Sequence, residues 1–435
     1  MGPSLTFMSY LPMIMMIVLF VLKVPIAFSL FIPSIFYFAF IGRAMPADLA
    51  LQRVVIDTQS FTLLAIPFFI MIGVVMNHSG ISKRLMVFAD LLVGHMRGGM
   101  AQANVMLTVL TSGISGSSNA DTAMNCKIFV PEMTKRGYDR PFCAAITASS
   151  SLITSIIPPG IVLLIYCAIA RVSVGRLFLA GYIPGALLAV TFMVTVAILA
   201  RKRGYGKTRE VRASANEVFK GAIHAFFALF MPIGFLMGIR LGVFTPTEGG
   251  AIAVVYCFII GAFVYRELKL RHVVPILREA LGSTAEVVFI VIGANLFGYY
   301  LTLEGIPRAI SGVILNFTDN RYVFLLAVNI LLLFMGAFIE AAPSIIILMP
   351  LLFEPLQYLG IDLVHFGIIM VLNLQMGGLT PPFGSMMFIS CQMSKVSMDR
   401  FLRANIPFYA AMLVVLMIVT YVPFLVMFLP NLIMP

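Results

Sequence analysis

Two stretches decide the fold: Ser155-Ile156-Ile157-Pro158-Pro159-Gly160, and Gly377-Gly378-Leu379-Thr380-Pro381-Pro382-Phe383-Gly384. Each lies inside an apolar run, 139–170 and 362–394, long enough to cross a bilayer. A proline pair removes two amide donors and clashes with the preceding turn, so a helix stops there. In hydrocarbon every backbone polar group needs a partner, and a break at that depth persists only where it is buried in protein or lines a wet cavity.

The two pairs are 223 residues apart, and the same offset aligns Gly113 with Gly336, Asp139 with Asp362, Ile146 with Ile369, Phe178 with Phe401, and Ile183-Pro184 with Ile406-Pro407. The chain therefore reads as a repeat, 1–212 and 213–435, joined through the charged loop 201–212. Two further apolar stretches, 101–134 and 322–357, are interrupted by small, polar or proline residues. They read as re-entrant hairpins, one preceding each broken helix. The first turns at Ser115-Gly116-Ser117-Ser118-Asn119-Ala120-Asp121-Thr122 and the second at Glu340-Ala341-Ala342-Pro343-Ser344.

Composition agrees with a membrane solvent. Of 435 residues 61% are apolar and 11% charged, with a mean hydropathy of +1.03, against about 25% charged in soluble domains. Apolar runs at 8–22, 24–42, 62–78, 139–170, 180–200, 219–240, 247–265, 284–303, 362–394 and 405–430 set the expected spans. The first is preceded by no Lys or Arg and followed by no small-residue cleavage site, so it reads as a span rather than a signal peptide. Arg43 to Ser60 and Arg266 to Leu281 have the mixed composition of interfacial helices.

Five crossings per half make the second repeat inverted. That topology puts 21 of the 29 Lys and Arg on one side: Lys23, Lys83, Arg84, Arg97, Lys135, Arg136, Arg140, the six in 201–212, Lys220, Arg266, Lys269, Arg271, Arg278, Lys395, Arg400 and Arg403. This is the cytoplasmic side by the positive-inside rule, and both termini then lie outside. The same clustering between apolar runs turns the net charge of +11 away from nucleic acid.

The breaks carry the chemistry. Freed carbonyls with nearby Ser, Thr and Asn oxygens suit a hard monovalent cation, and half-helix N-termini offer positive dipole ends to an anion. One Na⁺ per repeat is expected, with an anionic substrate between the two sites. Acids at membrane depth are functional candidates; Asp121 and Glu340 fall at the tips, whereas Glu248 and Glu286 start spans and read as interfacial. Five scattered cysteines form no CxxC pair. Gly206-Lys207-Thr208 lacks the upstream glycine of a phosphate loop, and HExxH and GxSxG are missing, so uphill transport has to draw on an ion gradient.

At Gly116-Ser117-Ser118-Asn119-Ala120-Asp121, Ile157-Pro158-Pro159-Gly160 and Gly378-Leu379-Thr380-Pro381-Pro382-Phe383-Gly384 the sequence resembles the large membrane subunit of tripartite ATP-independent periplasmic (TRAP) transporters, the DctM-like family. Over the whole chain it looks most like the sialic-acid members. The resemblance implies an elevator-type, sodium-coupled importer in a bacterial inner membrane, handling sialic acid first, or a C4-dicarboxylate or other organic acid. It implies two partners: a periplasmic substrate-binding protein and a small four-helix membrane subunit on a separate chain. It puts one Na⁺ at Ser115, Ser117, Ser118, Asn119, Ser155 and Pro158, and another at Glu340, Ala342, Ser344, Gly377 and Thr380. Asp121, Ser150, Ser151, Gly160, Pro381 and Gly384 are the positions expected to face the substrate. The competing readings are a binding-protein-independent or proton-coupled carrier, a passive anion channel, and a membrane-embedded enzyme using Asp121 or Glu340, for which no nucleophile or metal motif speaks.

Overall fold

A computed structural model describes all residues except 1–6, 23, 42–51, 53, 57–60, 308, 310–311, 313–317 and 435. The expected interfacial helix 43–60 therefore lies almost wholly outside the described residues, and the side chain of Ser115 does too.

The chain is all-α, with no strand among the described residues. The first half contains α1 (Phe7–Val21), α2 (Ile26–Phe36), α3 (Phe61–His78), α4 (Ile81–Val93), α5 (Gly99–Ser115), α6 (Ser118–Lys135), α7 (Arg140–Ser151), α8 (Ile153–Ile156), α9 (Ile161–Ala170) and α10 (Val174–Arg203). The second contains α11 (Ala215–His224), α12 (Phe226–Arg240), α13 (Pro246–Ile259), α14 (Leu270–Leu303), α15 (Arg321–Phe338), α16 (Ala341–Tyr358), α17 (Leu363–Gly377), α18 (Ser385–Ser394), α19 (Met398–Tyr421) and α20 (Pro423–Ile433). Among the described residues six helices are long and apolar enough to cross a membrane, and α7 to α9 form a further span bent by 41° at the first proline pair.

The elements recur at the sequence offset. Adding 223 to α6 gives α16 residue for residue, and α5 falls within one residue of α15. The π-helical turns that extend α2 and α13, Tyr37–Ile41 and Ile260–Val264, are likewise 223 apart. Asp139 and Asp362 both stand at helix N-caps, and Asp362 Oδ1 accepts from the amides of Val364 and His365 at 2.7 and 3.1 Å. Both proline pairs are joined by cis bonds.

Three expected elements differ. The run 219–240 divides at Ala225, because 215–224 is a polar capped helix with no buried residue. The run 405–430 divides at Val422, just before Pro423. Arg266 to Leu281 is not a separate helix: from Leu270 it continues unbroken to Leu303. At 34 residues, about 51 Å, α14 outruns the roughly 30 Å hydrocarbon core, so its charged beginning extends beyond the apolar layer.

Two groups of helices are visible in the packing. α13 and α14 lie on α3, and α14 also lies on α2, through aromatic contacts such as Phe31 on Phe289 and Tyr37 on Tyr300, centroids 4.6 and 4.7 Å apart. The hairpins and broken helices pack on each other within each half, α6 on α7 and α15 on α17, and also across the halves: α6 and α7 against α18, α7 against α19, and α9 against α16.

Candidate functional site

Each hairpin tip docks at a helix break. α5 ends at Gly116, whose φ of 61° is the left-handed region open to glycine. A Cβ there would stand 2.9 Å from the carbonyl of Pro159, and Gly116 O accepts from the amide of Ile161, the first residue of α9, at 3.1 Å. In the second half Ala337 O accepts from the amide of Phe383 at 3.0 Å. There α15 and α17 touch backbone to backbone, since a Cβ on Gly377 would lie 2.4 Å from the carbonyl carbon of Gly336.

The two tips also meet each other. Asn119 Nδ2 donates to Glu340 Oε1 at 3.0 Å, and Asn119 Oδ1 accepts from Ser385 Oγ at 3.0 Å. Ser118 and Ser155 hydroxyls are 2.6 Å apart, and Gln375 Nε2 of α17 donates to Ser155 Oγ at 2.6 Å. The expected first and second ion sites are thus joined into one polar centre by side chains more than two hundred residues apart.

The remaining site-1 and site-2 positions are locally placed. Ser117 caps α6, its Oγ accepting from Ala120 N at 3.4 Å. Pro158 lies within the first break, its ring near Gly181. Ser344 is buried, its Oγ 3.5 Å from Ile339 O, and Ala342 lines the cavity described below. Thr380 Oγ1 donates to Gly377 O at 2.8 Å, and the same carbonyl accepts from Thr380 N. Carbonyls freed by the second proline pair are therefore partly taken by local donors. Each keeps a second lone pair.

A cavity of about 310 Å³ opens between the tips. It is lined by Ser117, Ser118, Asn119, Glu340, Gln375 and Ser385 from the tips and breaks, and by Glu279, Ser283 and Glu286 of α14. The six positions expected to face substrate are not among its lining residues. Asp121 is buried and accepts from Thr154 Oγ1 at 2.5 Å, while the Ser150 and Ser151 hydroxyls are turned onto the carbonyl of Thr147. Gly160 and Gly384 are packed against the backbone of their own breaks, and Pro381 is exposed elsewhere. Sequence reasoning missed Gln375, Ser385, Glu279 and Ser283. Gln375 had a signal, as one of few polar residues in the apolar α17; Glu286, expected to be interfacial, is exposed and lines the cavity.

Two features set its electrostatics. The first residues of α6, α9, α16 and α18, namely Ser118, Ile161, Ala341 and Ser385, all line it, so four helix N-termini, each roughly half a positive charge, end there. Among the described lining residues are three carboxylates and no Lys, Arg or His. The described residues hold no cluster of three or more His, Cys, Asp or Glu able to take a metal.

Comparison with known proteins matches residues 13–425 to the family described as tripartite ATP-independent periplasmic transporter, DctM component. The sialic acid TRAP transporter large permease SiaM of Vibrio cholerae is 36% identical over 94% of this chain and 95% of its own length. The C4-dicarboxylate TRAP transporter large permease DctM of Pseudomonas aeruginosa is 39% identical over 86% of this chain and 87% of its own. The crystal structure of the Alcanivorax borkumensis YdaH transporter, at 14% identity, superposes with a TM-score of 0.69 over 93% of this chain and 97% of that one, a likeness of fold. These relatives are permeases, not enzymes. The chain belongs to the DctM family of TRAP transporter large permeases, multi-pass proteins of the membrane.

Proposed function

We propose that the chain is a sodium-coupled importer of a small carboxylate in the bacterial inner membrane. It takes its substrate from a periplasmic binding protein, works beside a small four-helix membrane subunit, and has both termini outside. Sialic acid is the first substrate to test and C4-dicarboxylates the next, following the names of relatives. At least two Na⁺ bind at the joined tips, within inverted repeats 1–212 and 213–435.

The observation that carries this reading is the charge pattern of the cavity. Four helix N-termini attract an anion, but three carboxylates repel it and no fixed cation offsets them among the described lining residues. An anion enters such a cavity favourably only when mobile cations enter with it, which is the energetic content of symport. Ser, Thr and Asn oxygens with backbone carbonyls are ligands for a hard monovalent ion.

Proteoliposomes containing the chain, its small subunit and the loaded binding protein should accumulate substrate under an inward sodium gradient. Uptake that ignores sodium refutes the proposal. Glu340, titratable and at the tip, favours proton coupling as the second reading. That reading predicts accumulation driven by an inward proton gradient in sodium-free buffer, and activity of the purified chain alone favours a binding-protein-independent carrier.

A further inference from the structure

Deeper in the first hairpin, α5, α6 and α7 meet along a seam formed by Asn104, Thr108, Asn125, Thr147 and Ser150, all with 0% exposure. At the equivalent positions of the second half stand Ala327, Leu331, Leu348, Met370 and Asn373. There Ala327 and Leu331 lie on an exposed face and the buried polar groups are instead Asn329, Asn373 and Thr420, so the buried cluster of Asn104, Thr108, Asn125 and Thr147 belongs to the first half alone. Burying such a set is costly unless each group is paired.

The pairing is incomplete. Asn104 Nδ2 donates to Thr147 Oγ1 at 2.7 Å, and Thr108 Oγ1 donates to the Asn104 carbonyl at 3.0 Å. Thr108 Oγ1 is also 3.5 Å from Ser150 Oγ and from Asn125 Nδ2. The amide oxygens of Asn104 and Asn125 have no hydrogen-bond partner among the described residues. Turning either amide over moves the orphan from oxygen to nitrogen without removing it. Buried orphans of this kind point to a bound ion or water. Asp121, one turn from Asn125 on the same face of α6, supplies a negative charge, and Ser118 with Ser155 continues the seam to the tip.

We propose that this seam binds a dehydrated monovalent cation, sodium in the cell, distinct from the ions at the tips. Neutral oxygens with a single nearby carboxylate suit a monovalent ion; a divalent one calls for more charge. The inference rests on the sodium-coupled reading and adds a binding position to it.

The test is equilibrium binding of radioactive sodium to the purified full-length protein. A variant given the second half's residues, N104A/T108L/N125L/T147M, should lose one bound sodium, whereas Asn119→Ala weakens a different one. If the fourfold variant does not fold, Asn125→Asp serves, and should bind sodium severalfold more tightly. Unchanged stoichiometry in the fourfold variant, or unchanged affinity in Asn125→Asp, overturns the seam while leaving the tip sites standing. A fourfold variant that gains thermal stability and keeps all its sodium shows that the seam holds only water, and also overturns it. Wild-type protein that binds no sodium sinks the coupling reading as well.

Discussion

Asn119 is the residue on which the site turns, because one amide joins a carboxylate of the other tip to the hydroxyl that opens α18. A hydrogen bond to a charged group contributes about 1.5–3 kcal/mol, so Asn119→Ala should lower apparent sodium affinity by roughly tenfold or more, read from the sodium activation curve of uptake. Thr380→Ala, which removes the hydroxyl bonded to Gly377 O, should lower it less, and Thr380→Ser should restore it. Gly116→Ala has to fit a Cβ at positive φ against the Pro159 carbonyl. It should abolish uptake while leaving the protein in the membrane, checked by transport and by membrane abundance. The serines, Asn119 and Glu340 were legible as tip residues from their position between apolar runs. Their contact was not, since no local pattern encodes a hydrogen bond spanning 221 residues. For the same reason Ser385 and the acids of α14 were invisible as cavity residues.

At the scale of elements, punctuation decided what could be read. The proline pairs, the small and polar tip residues and the 223-residue offset that aligns Asp139 with Asp362 located the hairpins and broken helices within a few residues. Where composition changed gradually the boundaries moved: the polar start of 219–240 became its own helix, and the charged start of α14 fused with its span. Packing between elements gives a further expectation. Gly377→Ala forces α15 and α17 apart, and overpacking of this kind costs about 1–3 kcal/mol, so the detergent-solubilised variant should melt at a lower temperature than wild type. α11 offers a pH test. Hydrogen bonds from the Ser214 backbone amide and hydroxyl hold the Glu217 carboxyl below its ordinary value of 4.5. The stabilisation of α11 is therefore present above that value and lost as pH falls through the lower folded one. Protection factors of the amides in 215–224, measured against intrinsic rates at each pH, should fall only in that acidic range, and Glu217→Gln should remove the dependence.

The whole molecule has to carry a solute without opening a pore, which requires one body to move against another. The packing supplies two groups of helices: α2, α3, α13 and α14 on one side, hairpins and broken helices on the other. We propose that the first is a fixed frame and the second an elevator that moves against it. Arg171 at the end of α9 and Thr302 near the end of α14 line one cleft of about 410 Å³ between them. Cysteines at these two positions, bridged by a reducible cross-linker, should stop uptake and release it on reduction; full uptake while bridged excludes relative motion there. The central claim is that substrate and sodium share the cavity between the tips, and simultaneous measurement of labelled substrate and labelled sodium entering proteoliposomes tests it most directly. Substrate should stimulate sodium entry in fixed proportion, and Asn119→Ala should depress both fluxes together. Substrate entering with no accompanying sodium would contradict the account.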